Sequence, residues 1–208
     1  MSLVSIRTLL GAVALLGASF SSHATLIVNG DFEENFVASN KWVVFNSADV
    51  AGWQGSNIEI WNALGGVIAA SGKNFIELNA HGSNSGAWSI FQTFATEIGR
   101  QYQLSFYYRA RNNNNEAFEA KAADISWKLE DHVVGSWNLF SSIFVATGNS
   151  TTLTLSSLTG GTMGNLIDNV QVSALPGPAV SVSAPATLAV FGAGLLLLAG
   201  GRRLRRSK

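Results

Sequence analysis

The sequence predicts an all-β protein whose central region is one jelly-roll β-sandwich, flanked by two hydrophobic chain ends. Apolar and polar side chains alternate in many short segments, and turns rich in glycine or asparagine separate these segments. The central region shows no convincing helical period. Many short strands without helices are typical of a two-layer antiparallel fold. An immunoglobulin-like sandwich is the second candidate, although the chain has no cysteine to form its Cys-Trp-Cys pattern.

The clearest strand is predicted at residues 102–111, where the even-numbered positions from 104 to 110 are apolar or aromatic. Because successive side chains of a strand point to opposite faces, this alternation indicates a half-buried strand. By the same criterion we predict eight further strands, at residues 41–45, 57–61, 75–79, 89–94, 122–128, 137–145, 151–157 and 166–172.

Residues 1–24 have the organisation of a secretory signal peptide. Arg7 precedes an apolar run over residues 8–19, and Ser22-His23-Ala24 supplies the small residues that a signal peptidase prefers. We therefore expect cleavage after Ala24 and export of a sandwich domain at residues 25–173. A linker rich in proline, glycine and small residues follows at 174–183.

Residues 184–208 carry a second hydrophobic signal. The apolar run from Pro185 to Gly201 contains 17 residues, barely enough for a helix to cross a hydrocarbon layer of about 30 Å. Five basic residues follow it and favour a cytoplasmic location for the chain end: Arg202, Arg203, Arg205, Arg206 and Lys208. A plain C-terminal membrane anchor is one interpretation of this tail.

The tail also resembles the PEP-CTERM sorting signal of exported proteins of Gram-negative bacteria. That signal combines a short motif ending in proline, a hydrophobic span and an arginine-rich terminus, and here Ser183-Ala184-Pro185 stands in place of Pro-Glu-Pro. The resemblance implies a transient inner-membrane helix and processing by an exosortase-type enzyme. It also implies delivery to the cell surface or an exopolysaccharide matrix.

The chain has no net charge because its basic ends balance an acidic central region. Six of the 13 basic residues lie in the two ends, whereas all 13 acidic residues lie between Asp31 and Asp168. Seven basic residues therefore face 13 acidic ones in the exported domain, a net charge near −6. This charge argues against a nucleic-acid partner held by phosphate contacts.

Three carboxylates are candidate metal ligands. Asp31 and Glu33 share one face of the segment near the start of the domain, and Asp168 lies on the apolar stripe of the last predicted strand. Jelly rolls commonly place their first and last strands side by side, which would bring the three together without a nearby cation. A structural Ca²⁺ would relieve their repulsion. Alternatively, Asp31 caps a turn, Glu33 is solvated and Asp168 accepts hydrogen bonds.

The same segments resemble the galactose-binding-like sandwich found in many carbohydrate-binding modules. The words that carry the resemblance are Asn29-Gly30-Asp31-Phe32-Glu33 and Ile167-Asp168-Asn169-Val170, with residues 75–79 and Gln92-Thr93-Phe94 between them. The resemblance implies polysaccharide binding. It also implies that the early acids and the late Asp168 contribute calcium ligands.

A sugar would then contact side chains on the outward face of three predicted strands. The candidates are Glu59, Trp61, Glu77, Asn79, Tyr107, Arg109 and Arg111, together with Asn57. Aromatic rings stack on sugar rings, while acids, amides and guanidinium groups bind their hydroxyls. Alternatively, Trp61 packs in the core or at an edge, and the two arginines pair with surface acids.

The sequence argues against an enzyme. A glycosidase needs two carboxylates across a cleft, and nothing distinguishes Glu59 and Glu77 from hydrogen-bonding side chains. His81 and His132 accompany neither a nucleophile elbow nor a metal-ligand spacing. We expect a non-catalytic surface or matrix protein that binds polysaccharide. The alternatives are a structural or adhesion protein without a sugar site and, less favoured, a glycan-active enzyme.

Overall fold

In the computed structural model, which describes residues 25–81, 88–112, 115–130 and 134–177, eleven β-strands form two antiparallel sheets. They are β1 (Lys41–Phe45), β2 (Gln54–Gly55), β3 (Ile58–Asn62), β4 (Asn74–Glu77), β5 (Ser89–Ala95), β6 (Gln101–Arg109), β7 (Phe118–Ala122), β8 (Ile125–Leu129), β9 (Asn138–Val145), β10 (Ser150–Ser157) and β11 (Leu166–Ala174). The helical segments of this described part are two 3₁₀ turns, Ser47–Asp49 and Leu64–Gly66. The predicted all-β sandwich is confirmed.

The two sheets pack face to face around one main core. The six-stranded sheet has the order β1-β3-β4-β11-β6-β9, and the five-stranded sheet has the order β2-β5-β10-β7-β8. Alternate residues of β6, such as Leu104 and Phe106, are fully buried, as are Leu153 and Leu155 of β10. Alternation along the strands therefore supplies one apolar face to each sheet, and the core forms where these faces meet.

The chain start lies beside the last strand. The Leu26 amide donates to the Val172 carbonyl at 2.7 Å, and the Val170 amide donates to the Gly30 carbonyl at 2.8 Å. A side chain at Gly30 would collide with the Val170 carbonyl oxygen, so only glycine permits this close approach. Because β11 lies between β4 and β6, this segment joins the middle of the six-stranded sheet.

A β-bulge in β11 changes the predicted orientation of Asp168. We predicted that Asp168 would share a face with Leu166, Val170 and Val172. The pairing of β11 with β6 shifts between Asp168 and Gln171, at Asn169, whose φ is 51°. Because a bulge adds one residue to a strand, Val170 and Val172 enter the main core, whereas Leu166 packs in a separate cluster on the other face. Asparagine adopts this conformation more readily than most residues, but one asparagine within an alternating pattern is not enough to predict a bulge.

Two further predictions need correction. The single strand predicted at residues 122–128 is the end of β7, a turn and most of β8. The turn contains Ala123 at φ 51°, a conformation that alanine rarely adopts, so Asp124 is the one turn-forming residue type that the sequence offers there. The two-residue strand β2 was also missed, because it is too short to show alternation.

The predicted ends lie largely outside the described residues. The signal peptide at 1–24 and the sorting tail at 184–208 fall there, as does most of the predicted linker at 174–183. Strand β11 ends at Ala174, one residue inside that linker. Within the described residues, no helix has the length and apolarity that a membrane span requires.

Trp53 is a test of the core. Its ring stacks on Phe32 at 5.4 Å, its indole N–H donates to the Asn29 carbonyl at 3.0 Å, and it is 2% exposed. We expect Trp53→Ala to lower the free energy of unfolding by about 3–5 kcal/mol in urea denaturation, because a large cavity forms. Phe36→Ala is the control, since Phe36 is 87% exposed. An equal effect of both substitutions would contradict this assignment of the core.

Candidate functional site

The candidate site lies on the face of the six-stranded sheet that turns away from the other sheet, which we call the outer face. Glu59 of β3 pairs with Glu77 of β4, Glu77 with Leu166 of β11, and Leu166 with Arg109 of β6. Directly paired residues of adjacent strands point to the same face. Glu59, Glu77 and Arg109 therefore lie in one row across the sheet.

A second apolar cluster occupies part of the outer face. Trp61, Phe75 and Leu166 are its buried members, and residues of the segment that follows β3 pack on them, together with Trp137. The Trp137 indole N–H donates to the Ile68 carbonyl at 2.8 Å. Residues 64–69 therefore cover this cluster, and Trp61 is only 5% exposed. In this structure its ring is part of a packed cluster.

Glu77 and Arg111 form a buried ion pair. The Arg111 guanidinium donates from Nη1 to both carboxylate oxygens of Glu77, at 2.7 and 2.6 Å, and the Gly164 amide adds a third hydrogen bond at 2.9 Å. Burial raises the pKa of Glu77 to about 7, although Arg111 and Gly164 oppose this shift, and the charge of Glu59 adds to it. The Arg111 side chain remains 33% exposed.

Glu59 is also fully occupied by hydrogen bonds. It accepts from the Trp61 indole N–H at 2.7 Å and from the His81 amide at 2.6 Å, and it is 3% exposed. The Arg111 guanidinium lies over the Trp61 ring at 4.8 Å. One continuous chain of contacts thus runs from Glu59 through Trp61 and Arg111 to Glu77.

A cleft of about 150 Å³ opens beside this chain of contacts. It is lined by Trp42, Glu59, His81, Arg111, Thr162 and Met163. Trp42 is 41% exposed, and its ring centroid lies 5.5 Å from that of His81. The sequence patterns did not predict Trp42 as a ligand-binding residue. It pairs with Trp61 and hence shares the outer face. Strand alternation could not have found it, because β1 has an almost uninterrupted apolar sequence.

The remaining predicted ligand residues lie in different environments. Tyr107 is partly exposed and pairs with Asp168. Arg109 is 9% exposed, and its guanidinium lies 5.7 Å from the Trp137 ring centroid. Asn79 is fully buried, and its Nδ2 donates to the carbonyls of Thr159 and Gly161 at 2.9 and 3.2 Å. The structure therefore gives Asn79 a role in holding the loop before β11.

Two of the three predicted metal ligands converge on one backbone segment. Glu33 Oε1 accepts hydrogen bonds from the amides of Lys73 and Asn74, both at 2.6 Å. Asp168 Oδ2 accepts from the Ser71 amide at 2.8 Å, so both carboxylates hold residues 71–74. Burial raises the pKa of Asp168 to about 7. Backbone N–H groups, first that of Ser71, oppose this shift, and the charge of Glu33 adds to it.

Asp31 is placed differently. It is partly exposed, and its Oδ1 accepts a hydrogen bond of 3.5 Å from the Glu33 amide within a turn. In the described part of the chain, no group of three or more His, Cys, Asp or Glu side chains is placed to hold a metal. The structure thus brings Glu33 and Asp168 to one segment, while the carboxylate of Asp31 binds a turn amide.

A family model that spans residues 25–173 matches this sandwich. The chain belongs to the family described as protein of unknown function (DUF642). The match covers the predicted sandwich domain from its first residue to its last, but the description of the family assigns no activity.

The DUF642 chain is also similar to part of a much larger protein. Halomucin of Haloquadratum walsbyi is 28% identical to it over 204 residues, which cover 88% of this chain. The chain spans about 2% of the length of Halomucin.

Several solved structures are similar in fold. CBM4 has a TM-score of 0.45 and 16% identity, and the similarity covers 72% of this chain and 99% of that one. TmCBM61 in complex with β-1,4-galactotriose has a TM-score of 0.46 and 15% identity, with coverage of 73% and 99%. The CBM22-1 xylan-binding domain of Paenibacillus barcinonensis Xyn10C has a TM-score of 0.43 and 13% identity, with coverage of 75% and 97%. The fold assignment itself rests on the strand pairing of this chain.

The buried Glu77 predicts a pH dependence of stability. Its pKa is about 7 in the folded chain against 4.5 for an unperturbed glutamate, so the folded state retains a proton that the unfolded state has lost. The free energy of unfolding should therefore fall as the pH rises from 4.5 to 7, by at most about 3 kcal/mol from this residue. We expect Glu77→Gln to reduce this slope in urea denaturation at pH 5 and pH 7.5.

The control for this measurement is Glu97→Gln. Glu97 forms an exposed ion pair with Arg100, so this variant makes the same chemical change away from the buried site, and the slope of Glu77→Gln is compared with its slope. Asp168, whose pKa is also raised, contributes to the slope in both variants. The comparison therefore uses the difference between the two slopes. A slope that stays the same in Glu77→Gln would show that Glu77 does not titrate in this range.

Proposed function

We propose that this DUF642 domain binds carbohydrate without catalysis, at the cleft between Trp42 and Arg111. The observation that carries the proposal is the composition of that cleft. Trp42 offers a partly exposed aromatic ring, and Arg111 offers donors beside it. Aromatic rings stack on the apolar faces of sugars, and guanidinium groups, hydroxyls and carbonyls bind sugar hydroxyls.

The hydrogen bonds of the two glutamates favour binding over hydrolysis. A glycosidase requires two carboxyl groups that face the scissile bond and exchange protons with it. Glu59 is engaged by Trp61 and the His81 amide, and Glu77 by Arg111 and the Gly164 amide. Glu59 therefore holds Trp61 and the His81 backbone, and Glu77 holds the Arg111 guanidinium of the cleft.

A structural or adhesion role is the second candidate. Strand β9 forms one edge of the six-stranded sheet, and three of its apolar side chains are exposed: Leu139 by 60%, Ile143 by 50% and Val145 by 44%. Exposed apolar side chains on an edge strand favour contact with other proteins. Glycan binding distinguishes the two roles, since the structural role requires no sugar site.

We infer that this domain is located outside the cytoplasm. The basis is the sequence, in which a signal peptide precedes the sandwich and a PEP-CTERM-like tail follows it. A transient membrane helix and exosortase-type processing would then deliver the domain to the cell surface or an exopolysaccharide matrix. There, a carbohydrate-binding sandwich would attach to the polysaccharide around it.

A structural Ca²⁺ is part of the same proposal. Two carboxylates, Glu33 and Asp168, hold residues 71–74 and repel each other, and no cationic side chain among the described residues forms an ion pair with either. Carboxylate oxygens are the ligands that Ca²⁺ prefers. The residues therefore suit the ion chemically, and Asp31, the third predicted ligand, lies two residues before Glu33. The ion would fasten this segment in a chain without disulfides.

Binding to a glycan library tests the cleft. We expect the purified full-length protein to bind at least one polysaccharide, and Trp42→Ala to weaken that binding about tenfold, the equivalent of 1.4 kcal/mol. Phe36→Ala is the matched control, because it removes an exposed aromatic ring that does not line the cleft. Affinity electrophoresis would measure both variants, and circular dichroism would verify their folding.

The outcomes of this experiment separate the candidates. Unchanged glycan binding in folded Trp42→Ala would reject the cleft. No binding to any glycan would reject the carbohydrate function and favour the structural role.

Thermal unfolding with CaCl₂ and with EDTA tests the proposed ion. At a concentration 100 times its Kd, a ligand stabilises the folded state by about 2.7 kcal/mol, which should raise the Tm by roughly 5–10 °C. We expect Asp168→Asn to abolish this increase, because it removes a carboxylate. Asp124→Asn, in the exposed β7–β8 turn, should retain it. Equal Tm values in calcium and chelator for the unmodified protein would refute the proposal.

A further inference from the structure

Arg109 is a buried cation without an acidic partner. Its side chain projects from β6 onto the outer face and is 9% exposed. No carboxylate among the described residues forms an ion pair with it, and its single hydrogen bond runs from Nε to the adjacent Ala110 carbonyl at 3.5 Å. The two Nη atoms form no hydrogen bond with the described residues, yet they are not among the fully buried polar atoms without a partner. Solvent therefore reaches the end of the guanidinium group.

The other arginines near or on β6 differ in this respect. Arg111 binds both oxygens of Glu77, and Arg100 binds Glu97 at 2.6 Å. All three guanidinium groups lie near aromatic rings, at 4.8 Å from Trp61 for Arg111, 6.0 Å from Tyr102 for Arg100 and 5.7 Å from Trp137 for Arg109. Arg109 alone of these three lacks a carboxylate.

An unpaired buried charge destabilises a protein unless something compensates for it. Arginine keeps its proton under all ordinary conditions, so it does not escape this penalty by becoming neutral, although burial lowers its pKa. The Trp137 ring compensates in part, because an aromatic face attracts a cation. The N–H donors on the Nη atoms, which the protein does not use, form a fork that matches the geometry of an oxyanion with two oxygens.

We propose that Arg109, stacked on Trp137, binds an oxyanion carried by the glycan, either the carboxylate of a uronic acid or a sulfate ester. This inference rests on the proposed carbohydrate function and defines the substrate class as acidic polysaccharide. Tyr107, which is partly exposed, lies two residues away on the same strand and face, so the same sugar could contact its side chain.

The anion site and the cleft use different side chains. Arg109 stands three strands from Glu59 in the same row, about 14 Å at the usual strand spacing. Arg111 of the cleft is only two residues from Arg109, but Glu77 holds it through two hydrogen bonds, so a substitution at Arg109 should leave the cleft intact. The domain carries a net charge near −6, so attraction of an acidic glycan must come from local contact with Arg109.

Three soluble polymers that share the cellulose backbone test the proposal, by affinity electrophoresis of the full-length protein. Carboxymethylcellulose carries carboxylates, cellulose sulfate carries sulfate esters, and hydroxyethylcellulose is neutral. We expect at least one anionic polymer to bind about tenfold more tightly than the neutral one, and the tighter of the two to identify the oxyanion. Arg109→Met should abolish the difference, whereas Arg100→Gln should preserve it as the matched arginine control.

Stability provides a second measurement. Because Arg109→Met removes an uncompensated charge and retains an apolar stem, its Tm without ligand should equal or exceed that of the unmodified protein. If Arg109→Met fails to fold, Arg109 is structural and the proposal is wrong. Arg109→Lys, which keeps the charge but loses the fork, should retain a weaker preference for the anionic polymer.

The remaining outcomes distinguish the two proposals. An anion preference that persists in folded Arg109→Met rejects the anion site. Binding of neutral and anionic polymers with equal affinity rejects it too, but leaves the cleft proposal standing. An anion preference that is lost in Arg109→Met supports the anion site. If Trp42→Ala keeps that preference while its affinity for all polymers falls, both proposals are supported; if its affinity for all polymers is unchanged, the cleft is rejected.

Discussion

The β-bulge at Asn169 is the constraint on which the arrangement of both faces of the six-stranded sheet depends. It lies in β11, the strand between β4 and β6, and it reverses which residues face the core. Before it, Leu166 belongs to the outer-face cluster; after it, Val170 and Val172 complete the main core. Without the extra residue, the strand would place valines on the outer face or Asp168 among the core residues.

The carboxylates on and beside the outer face each bind specific partners, and these partners organise the loops. Glu33 and Asp168 hold residues 71–74 through backbone amides, Glu59 holds the His81 amide, and Glu77 holds both Arg111 and the Gly164 amide. Each carboxylate thereby fixes a connection that crosses the sheet. Arg109 departs from this pattern, since its charge has no such partner.

Strand alternation predicted most of the sheet, because it depends on a local property of the chain. It placed eight strands near their observed positions and put Glu59, Glu77 and Arg109 on outward positions. It failed where the backbone departs from regular geometry, at Ala123 and Asn169. Alanine rarely adopts a left-handed conformation, and a single asparagine inside an alternating pattern does not by itself predict one. The cleft depends on which strands are neighbours, and that order is not encoded in any one segment. For this reason the pairing of Glu77 with Arg111 and the part played by Trp42 emerged only from the structure.

The position of β11 also determines when the domain is complete during synthesis. Among the strands of residues 25–177, this one leaves the ribosome last, yet it fills the middle of its sheet and pairs with the first residues of the sandwich through Leu26 and Gly30. Until residues 166–174 emerge, β4 and β6 have no strand between them, and the contacts still to form span nearly the whole domain. The nascent chain therefore acquires its native sheet only after almost all of the domain has been translated.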